Sequence, residues 1–186
     1  METIADFEMT KVTIVNVVAT AALGQRVDLE ELGKCPQIVH DPEIYGGRVA
    51  YFRSSEFTGQ VTIFASGKMI SVGSKSEAEA FRALELAKEY LIEMGFVKQV
   101  NLEKKTRNIV VVVDFGKAVD LEALAKDHRM VYEPEQFPGG ILRMNEQSGV
   151  TALVFSSGKA VVAGIKSSKG IEEIVGSLGA VLKSYV

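Results

Sequence analysis

The sequence predicts an α+β fold made by duplicating one β-α-β-β-β-β-α unit. Three observations carry this. The chain matches itself at an offset of 92: between residues 16 and 47, 13 of 32 positions are identical to those of 108–139. Each copy opens on a β-rich run and closes on an apolar stripe at helical spacing. Turn residues fall at the same places in both copies: Phe64-Ala65-Ser66-Gly67-Lys68 matches Phe155-Ser156-Ser157-Gly158-Lys159, where the offset has become 91. Two copies are too few for a solenoid, so a pseudo-two-fold arrangement of two repeats, 1–94 and 95–186, is expected.

The elements follow in order. Lys11 to Thr20 and Arg107 to Asp114 read as opening strands. Val27-Asp28-Leu29-Glu30-Glu31-Leu32 and Val119-Asp120-Leu121-Glu122-Ala123-Leu124 read as short helices, each with its aspartate as N-cap. Strands are expected near 38–41, 47–54, 59–65 and 68–74, with turns at Gly46-Gly47 and Ser66-Gly67-Lys68. The closing helix starts near Ser76, with Glu79 at capping-box spacing and Ala80, Phe81, Leu84, Ala87 and Leu91 as its stripe. Its twin carries Ile171, Ile174, Val175, Leu178 and Leu182.

Alternate strand residues share a face. One such set is Asn16, Val18, Thr20, Thr62, Phe64, Ile70 and Val72, matched by Asn108, Val110, Val112, Leu153, Phe155, Val161 and Ala163. The opposite set, including Val17, Ile63, Val111 and Val162, is also apolar. Two long helices cover only one side of such a sheet, so the other must meet a second copy, a ligand or a flat partner. Periodicity leaves these open.

Composition removes several classes. Apolar residues make up 47% of the 186, which excludes a disordered chain. The longest apolar runs, such as Ile109 to Val113, are far too short to span a bilayer. Met1 to Met9 has no basic n-region, so a signal peptide is not expected. A single cysteine, Cys35, excludes an intrachain disulfide framework and is read as an inert thiol. These counts point to a soluble, intracellular protein. Net charge is −3, but residues 1–93 carry −5 and 94–186 carry +2, so a basic edge is compatible with an acidic whole.

Enzymatic signals are weak. Ser-Gly-Lys at 66–68 and 157–159 lacks the earlier glycine of a P-loop, since Thr62 and Leu153 stand there. His40 and His128 are not repeat-matched and are read as structural or surface residues. Lys104-Lys105-Thr106-Arg107, the one basic cluster, is read as a linker and solvated strand entry. No carboxylate pair recurs in a way that suggests acid–base work. No enzyme and no cofactor are expected.

Three sets of segments stand out: Val15-Asn16-Val17-Val18-Ala19-Thr20 with Arg107-Asn108-Ile109-Val110, Ile63-Phe64-Ala65-Ser66-Gly67-Lys68 with Val154-Phe155-Ser156-Ser157-Gly158-Lys159, and Tyr132-Glu133-Pro134-Glu135-Gln136-Phe137-Pro138-Gly139 with Leu142-Arg143-Met144. Together they resemble the TATA-box-binding protein family, archaeal type, the last set being similar to the family's second stirrup loop. The likeness runs from about residue 11 to 184.

The resemblance implies a saddle-shaped antiparallel sheet with helices on its convex face, seated on the minor groove of A·T-rich promoter DNA. Minor-groove binding with inserted wedges is the recognition mode described for this family. On that footing Asn16 and Asn108 donate to base acceptors, while Val18, Val110, Ile70, Leu153 and Val161 form an apolar floor. Tyr45, Phe64, Phe137 and Phe155 take the four wedge places. Arg53, Lys68, Lys75, Arg143, Lys159 and Lys166 flank the saddle near phosphates. Glu133, Glu135 and Gln136 lie where transcription factor B docks, and RNA polymerase is reached indirectly through that factor. The implied place is the archaeal cytoplasm, on the nucleoid. Free of DNA, the apolar face would allow a homodimer.

The chain departs from the family pattern on the DNA side. Tyr45 replaces a phenylalanine, Tyr51 stands at an expected arginine, and Val72 and Ala163 replace threonines. Gly140 replaces a larger apolar residue, and Asn145 to Val150 lacks a Lys-Pro element. These mark a divergent member. Two other readings fit the residues: a ligand-binding module of sheet and helix, and a family-like paralogue without TATA preference.

Overall fold

The computed structural model describes residues 10–127, 130–145 and 149–186. His128, the N-terminal Met1 to Met9, and 146–148 of the segment expected to lack Lys-Pro lie outside them. The chain forms two compact units, Asn16–Arg107 and Asn108–Val186, the latter with residues up to Val15.

By repeat, the first runs β1 (Lys11–Ala22), α1 (Leu29–Leu32), β2 (Ile38–Val39), β3 (Val49–Phe52), β4 (Gln60–Phe64), β5 (Lys68–Ser74) and α2 (Glu77–Glu93). Its strands order β2-β3-β4-β5-β1. The second runs β6 (Lys105–Asp114), α3 (Leu121–Asp127), β7 (Met130–Val131), β8 (Gly139–Asn145), β9 (Val150–Phe155), β10 (Lys159–Ile165) and α4 (Ile171–Leu182), ordered β6-β10-β9-β8-β7. All recorded pairings within each unit are antiparallel. This is the duplicated α+β unit that the repeats predict.

Local chemistry explains the boundaries. Asp28 Oδ1 accepts from the N–H groups of Glu30 and Glu31, both at 3.1 Å, and Asp120 Oδ1 from Ala123 N–H at 3.0 Å. Each capped N–H is one of the orphan donors of a helix start, and losing such a cap costs about 1 kcal/mol. The strands expected over 38–41 and 47–54 are shorter. Asp41 Oδ1 takes the Glu43 N–H at 2.8 Å, Pro42 has no N–H for a ladder, and a 3-10 turn fills Ile44–Gly47.

The capping box is altered. Ser76 Oγ accepts from Glu79 N–H at 3.1 Å as expected, but the Glu79 carboxylate accepts from Lys75 N–H at 2.7 Å and Thr58 N–H at 2.9 Å. Those backbone bonds hold its pKa below the usual carboxylate value and tie the β3–β4 loop to the helix. Gly170 stands in the matching place of the second copy, where a 3-10 turn leads into a shorter helix of 12 residues against 17.

One face of each sheet packs on helices. Val17, Ala19, Val61, Ile63 and Met69 are buried with Ala80, Ala83, Leu84, Ala87 and Leu91 of α2. Ile109, Val111, Val154 and Val162 are buried with Val175, Leu178 and Leu182 of α4. Phe81, Ile171 and Ile174, placed in the stripes by spacing, are only half-buried; Ala83 completes the contact of α2.

The basic cluster leads into β6 with Lys105 and Arg107 exposed, as a strand entry, but several of its side chains are also tied to the first unit. Lys104 pairs with Glu85, which also holds the buried Lys88 at 2.5 Å. Thr106 Oγ1 donates to Glu77 Oε1 at 2.5 Å, and Arg107 Nε to Thr20 Oγ1 at 2.9 Å. Gln25 takes Lys98 N–H at 2.9 Å, so 95–107 belongs with the first unit.

The copies differ in one buried feature. Ser71 and Ser74 are fully buried and their hydroxyls have no partner among the described residues, whereas the matching residues are Val162 and Ile165. An unsatisfied buried hydroxyl costs about 1–3 kcal/mol. Ser71→Val is therefore expected to stabilise the protein by about 1 kcal/mol, read as a higher urea midpoint at unchanged slope. A lower midpoint would show that the site lacks room for the added methyls.

Candidate nucleic-acid interface

Among the described residues, the other face of each sheet is left largely half-buried. Cross-strand register builds a row Val39–Tyr51–Thr62–Ile70–Thr20 in the first unit. The second unit has Val131–Ile141–Leu153–Val161–Val112. Except for the buried Thr20, these residues are half-buried or exposed, in contrast to the fully buried set one residue away. Val18, Val72, Val110 and Ala163 share the same half-buried state. Both units therefore carry a largely apolar, half-buried face, which Tyr51, Val131 and Ile141 extend.

Register also corrects one expected departure. Val49 faces Phe64 and Gly139 faces Phe155, so the repeats run at an offset of 90 through β3 and β8. Tyr51 is therefore level with Ile141, and Arg53 is level with Arg143. The first copy keeps an arginine at this place, two residues beyond Tyr51. Arg53 is exposed and donates to Gln60 Oε1 at 3.0 and 3.3 Å; Arg143 is exposed and lies opposite Thr151. Gly140 has a physical reason too: a Cβ there would lie 2.5 Å from Sδ and Cε of Met130, which fills the space of the missing side chain.

The two asparagines are held alike. Val17 pairs with Ser74 and Ala19 with Ser71, so Val72 and Gly73 together face Val18. This bulge frees the Gly73 N–H from the ladder, and Asn16 Oδ1 accepts it at 2.8 Å. The same irregularity lies between Val162 and Ile165, where Asn108 Oδ1 accepts Gly164 N–H at 2.8 Å. A backbone N–H only donates, so the atom it meets is the amide oxygen. The Nδ2 amino group is left as the donor. Both glycines have φ of +95°, a conformation open to glycine. Glycines inside a strand pattern are a bulge signal, and the repeat match of Gly73 with Gly164 carried it.

The cations sit at the sheet margins. Lys68, Lys75, Lys159 and Lys166 are exposed. Lys159 lies 3.9 Å from Asp114, whereas Lys68 faces Ala22 across the same register. Phe137 and Phe155 come together with ring centroids 6.0 Å apart, and Phe64 is half-buried. Tyr45 is 72% exposed at a left-handed φ of 52°. Glu133, Glu135 and Gln136 are exposed on a turn closed by Gln136 N–H and Phe137 N–H to the Glu133 carbonyl, both at 2.9 Å. His40 Nδ1 lies 2.8 Å from the Val49 carbonyl and braces residues 40–49, the first stirrup and counterpart of the loop at 132–139.

Comparison with known proteins decides the family. Residues 11–94 and 103–185 both match the family described as transcription factor TFIID, or TATA-binding protein. The chain belongs to the TATA-binding protein family. A TATA-box-binding protein of Cenarchaeum symbiosum is 40% identical over 161 residues, 85% of this chain and 86% of that one. One of Archaeoglobus fulgidus is 35% identical over 169 residues, 89% and 91% of the two chains. The solved structure of Methanococcus jannaschii TBP matches with a TM-score of 0.82 at 32% identity, over 94% of this chain and 99% of that one. Membership replaces the reading as an unrelated ligand-binding module. No helix among the described residues of this family member is long and apolar enough to cross a membrane.

Proposed function

We propose that this protein is a general transcription initiation factor that binds A·T-rich promoter DNA through the minor groove. The observation that carries this is the half-buried face of each repeat, largely apolar and bearing one asparagine held with its donor free. The minor groove at A·T and T·A pairs offers only acceptors, whereas a G·C pair adds the guanine amino group. A floor of Val18, Ile70, Val110, Leu153 and Val161 accepts the first edge and leaves the second amino group buried without a partner, at a cost. Phe137, Phe155 and Phe64 press on base steps, bending the duplex and admitting more contact. Arg53, Arg143 and the four lysines meet phosphates. Glu133, Glu135 and Gln136 form the docking place for transcription factor B, which brings RNA polymerase indirectly; exposed acids there suit a basic partner surface.

The test is a fluorescent duplex with a TATA-like site against a G·C-rich duplex, with and without transcription factor B, across a salt series. The expected result is selective binding that weakens as salt rises and strengthens with the factor. Replacing the G·C pairs by inosine·C, which lacks the guanine amino group, should restore much of the affinity. Equal binding to all duplexes would overturn the reading and favour a paralogue without TATA preference.

A further inference from the structure

The two stirrups are built differently at the point where a ring would enter a base step. In the second repeat Phe137 stands two residues before Gly139, and Gly139 faces Phe155. A Cβ on Gly139 would lie 2.8 Å from Phe137, 3.1 Å from Phe155 and 3.2 Å from Leu153. The absence of a side chain there makes room for both rings, which meet at 6.0 Å and 60°. In the first repeat the residue facing Phe64 is Val49, buried, with its side chain in the place that Gly139 leaves open. Tyr45 stands four residues before it, and the two extra residues form a left-handed run through Gly46 and Gly47. Tyr45 carries a hydroxyl and is 72% exposed, against 44% for Phe137.

We infer that this chain opens a duplex unevenly: the second repeat supplies a preassembled two-ring wedge, and the first supplies a single ring, Phe64, backed by Val49. The inference rests on the minor-groove reading proposed above. Unstacking a base step is unfavourable, and a wedge offsets it only where apolar surface replaces the lost stacking. Two packed rings replace more of it than one ring beside an exposed phenol. A deformable pyrimidine–purine step is then needed chiefly under the second repeat, which makes step flexibility at one end a determinant of the preferred site.

The experiment compares Tyr45→Ala with Phe137→Ala, both exposed positions and repeat-matched. Affinity for a TATA-like duplex is measured together with end-to-end energy transfer, which reports the bend. The expected result is that Phe137→Ala weakens binding at least three-fold more than Tyr45→Ala and loses more of the bend. Losses within three-fold of each other, or a greater loss at Tyr45, would overturn the inference while the minor-groove reading stood. Should the unaltered protein fail to prefer the TATA-like duplex, the functional reading falls, and this inference with it. Unchanged thermal melting of both variants confirms that the comparison concerns the wedge.

Discussion

Asn108→Asp is expected to lower affinity for an A·T-rich duplex by roughly 10- to 100-fold while leaving thermal stability nearly unchanged. Aspartate keeps an oxygen where Asn108 Oδ1 accepts the Gly164 N–H at 2.8 Å, so the bulge in β10 stays satisfied. It loses the Nδ2 donor and places a negative charge against acceptor edges. A lost hydrogen bond that leaves a buried acceptor unpaired costs about 1–3 kcal/mol, and each 1.4 kcal/mol is ten-fold in affinity. Asn108→Ala is the companion: it removes both ends of the amide and leaves the Gly164 N–H without its acceptor, so it should lose affinity and lower the melting temperature. Asn16 and Gly73 predict the same pattern in the first repeat, with the same 2.8 Å bond. Titration of the labelled duplex and thermal melting decide it. A destabilised aspartate variant with unchanged DNA binding would mean that the amide serves the fold alone.

Gly67→Ala is expected to destabilise the protein by about 3 kcal/mol or more, at the severe end of single substitutions. Gly67 has φ of +83°, and a Cβ there would lie 1.9 Å from the Gln25 carbonyl oxygen, a backbone atom. Relief requires moving a connection held by Leu23 N–H to the Gly67 carbonyl at 2.9 Å and Val27 N–H to the Ala65 carbonyl at 3.0 Å. Gly158 is its counterpart, with a Cβ 1.8 Å from the Lys117 carbonyl oxygen and matching bonds from Phe115 and Val119. Gly24→Ala separates the causes: its φ is +68° with nothing within 4 Å, so only the left-handed backbone is strained, at about 1 kcal/mol. Urea unfolding of the three variants gives the comparison, and equal losses at Gly24 and Gly67 would refute the steric account. Ser-Gly-Lys thus marks a hairpin docked on the β1–α1 connection, in keeping with its failed P-loop spacing.

The repeat, the element order and the face to be buried were legible because they depend on near neighbours along the chain. Asp28 and Asp120 cap within three residues, and alternation in β1, β4, β6 and β9 sorts side chains by face without reference to anything distant. Register was less legible. A two-residue difference in the stirrups is invisible to an alignment that slides identical residues together, so Tyr51 took the place that pairing gives to Arg53. The partners of Lys104 and Thr106 were also hidden, because Glu85 and Glu77 lie about two turns apart on a helix about 20–30 residues earlier.

From its residues alone, then, this chain determined that two like units exist, which strand face each hides, and which family motifs the other face bears. Those are properties of periodicity and of identity between copies. Tertiary structure alone decided that β5 and β10 bulge at Gly73 and Gly164, that the freed N–H groups fix the polarity of Asn16 and Asn108, and that Phe137 meets Phe155 while Tyr45 stands out in solvent. Each of these depends on which backbone atom lies opposite which side chain across strands 50 or more residues apart in some pairs, and that is set by pairing and loop length together, which no local pattern encodes.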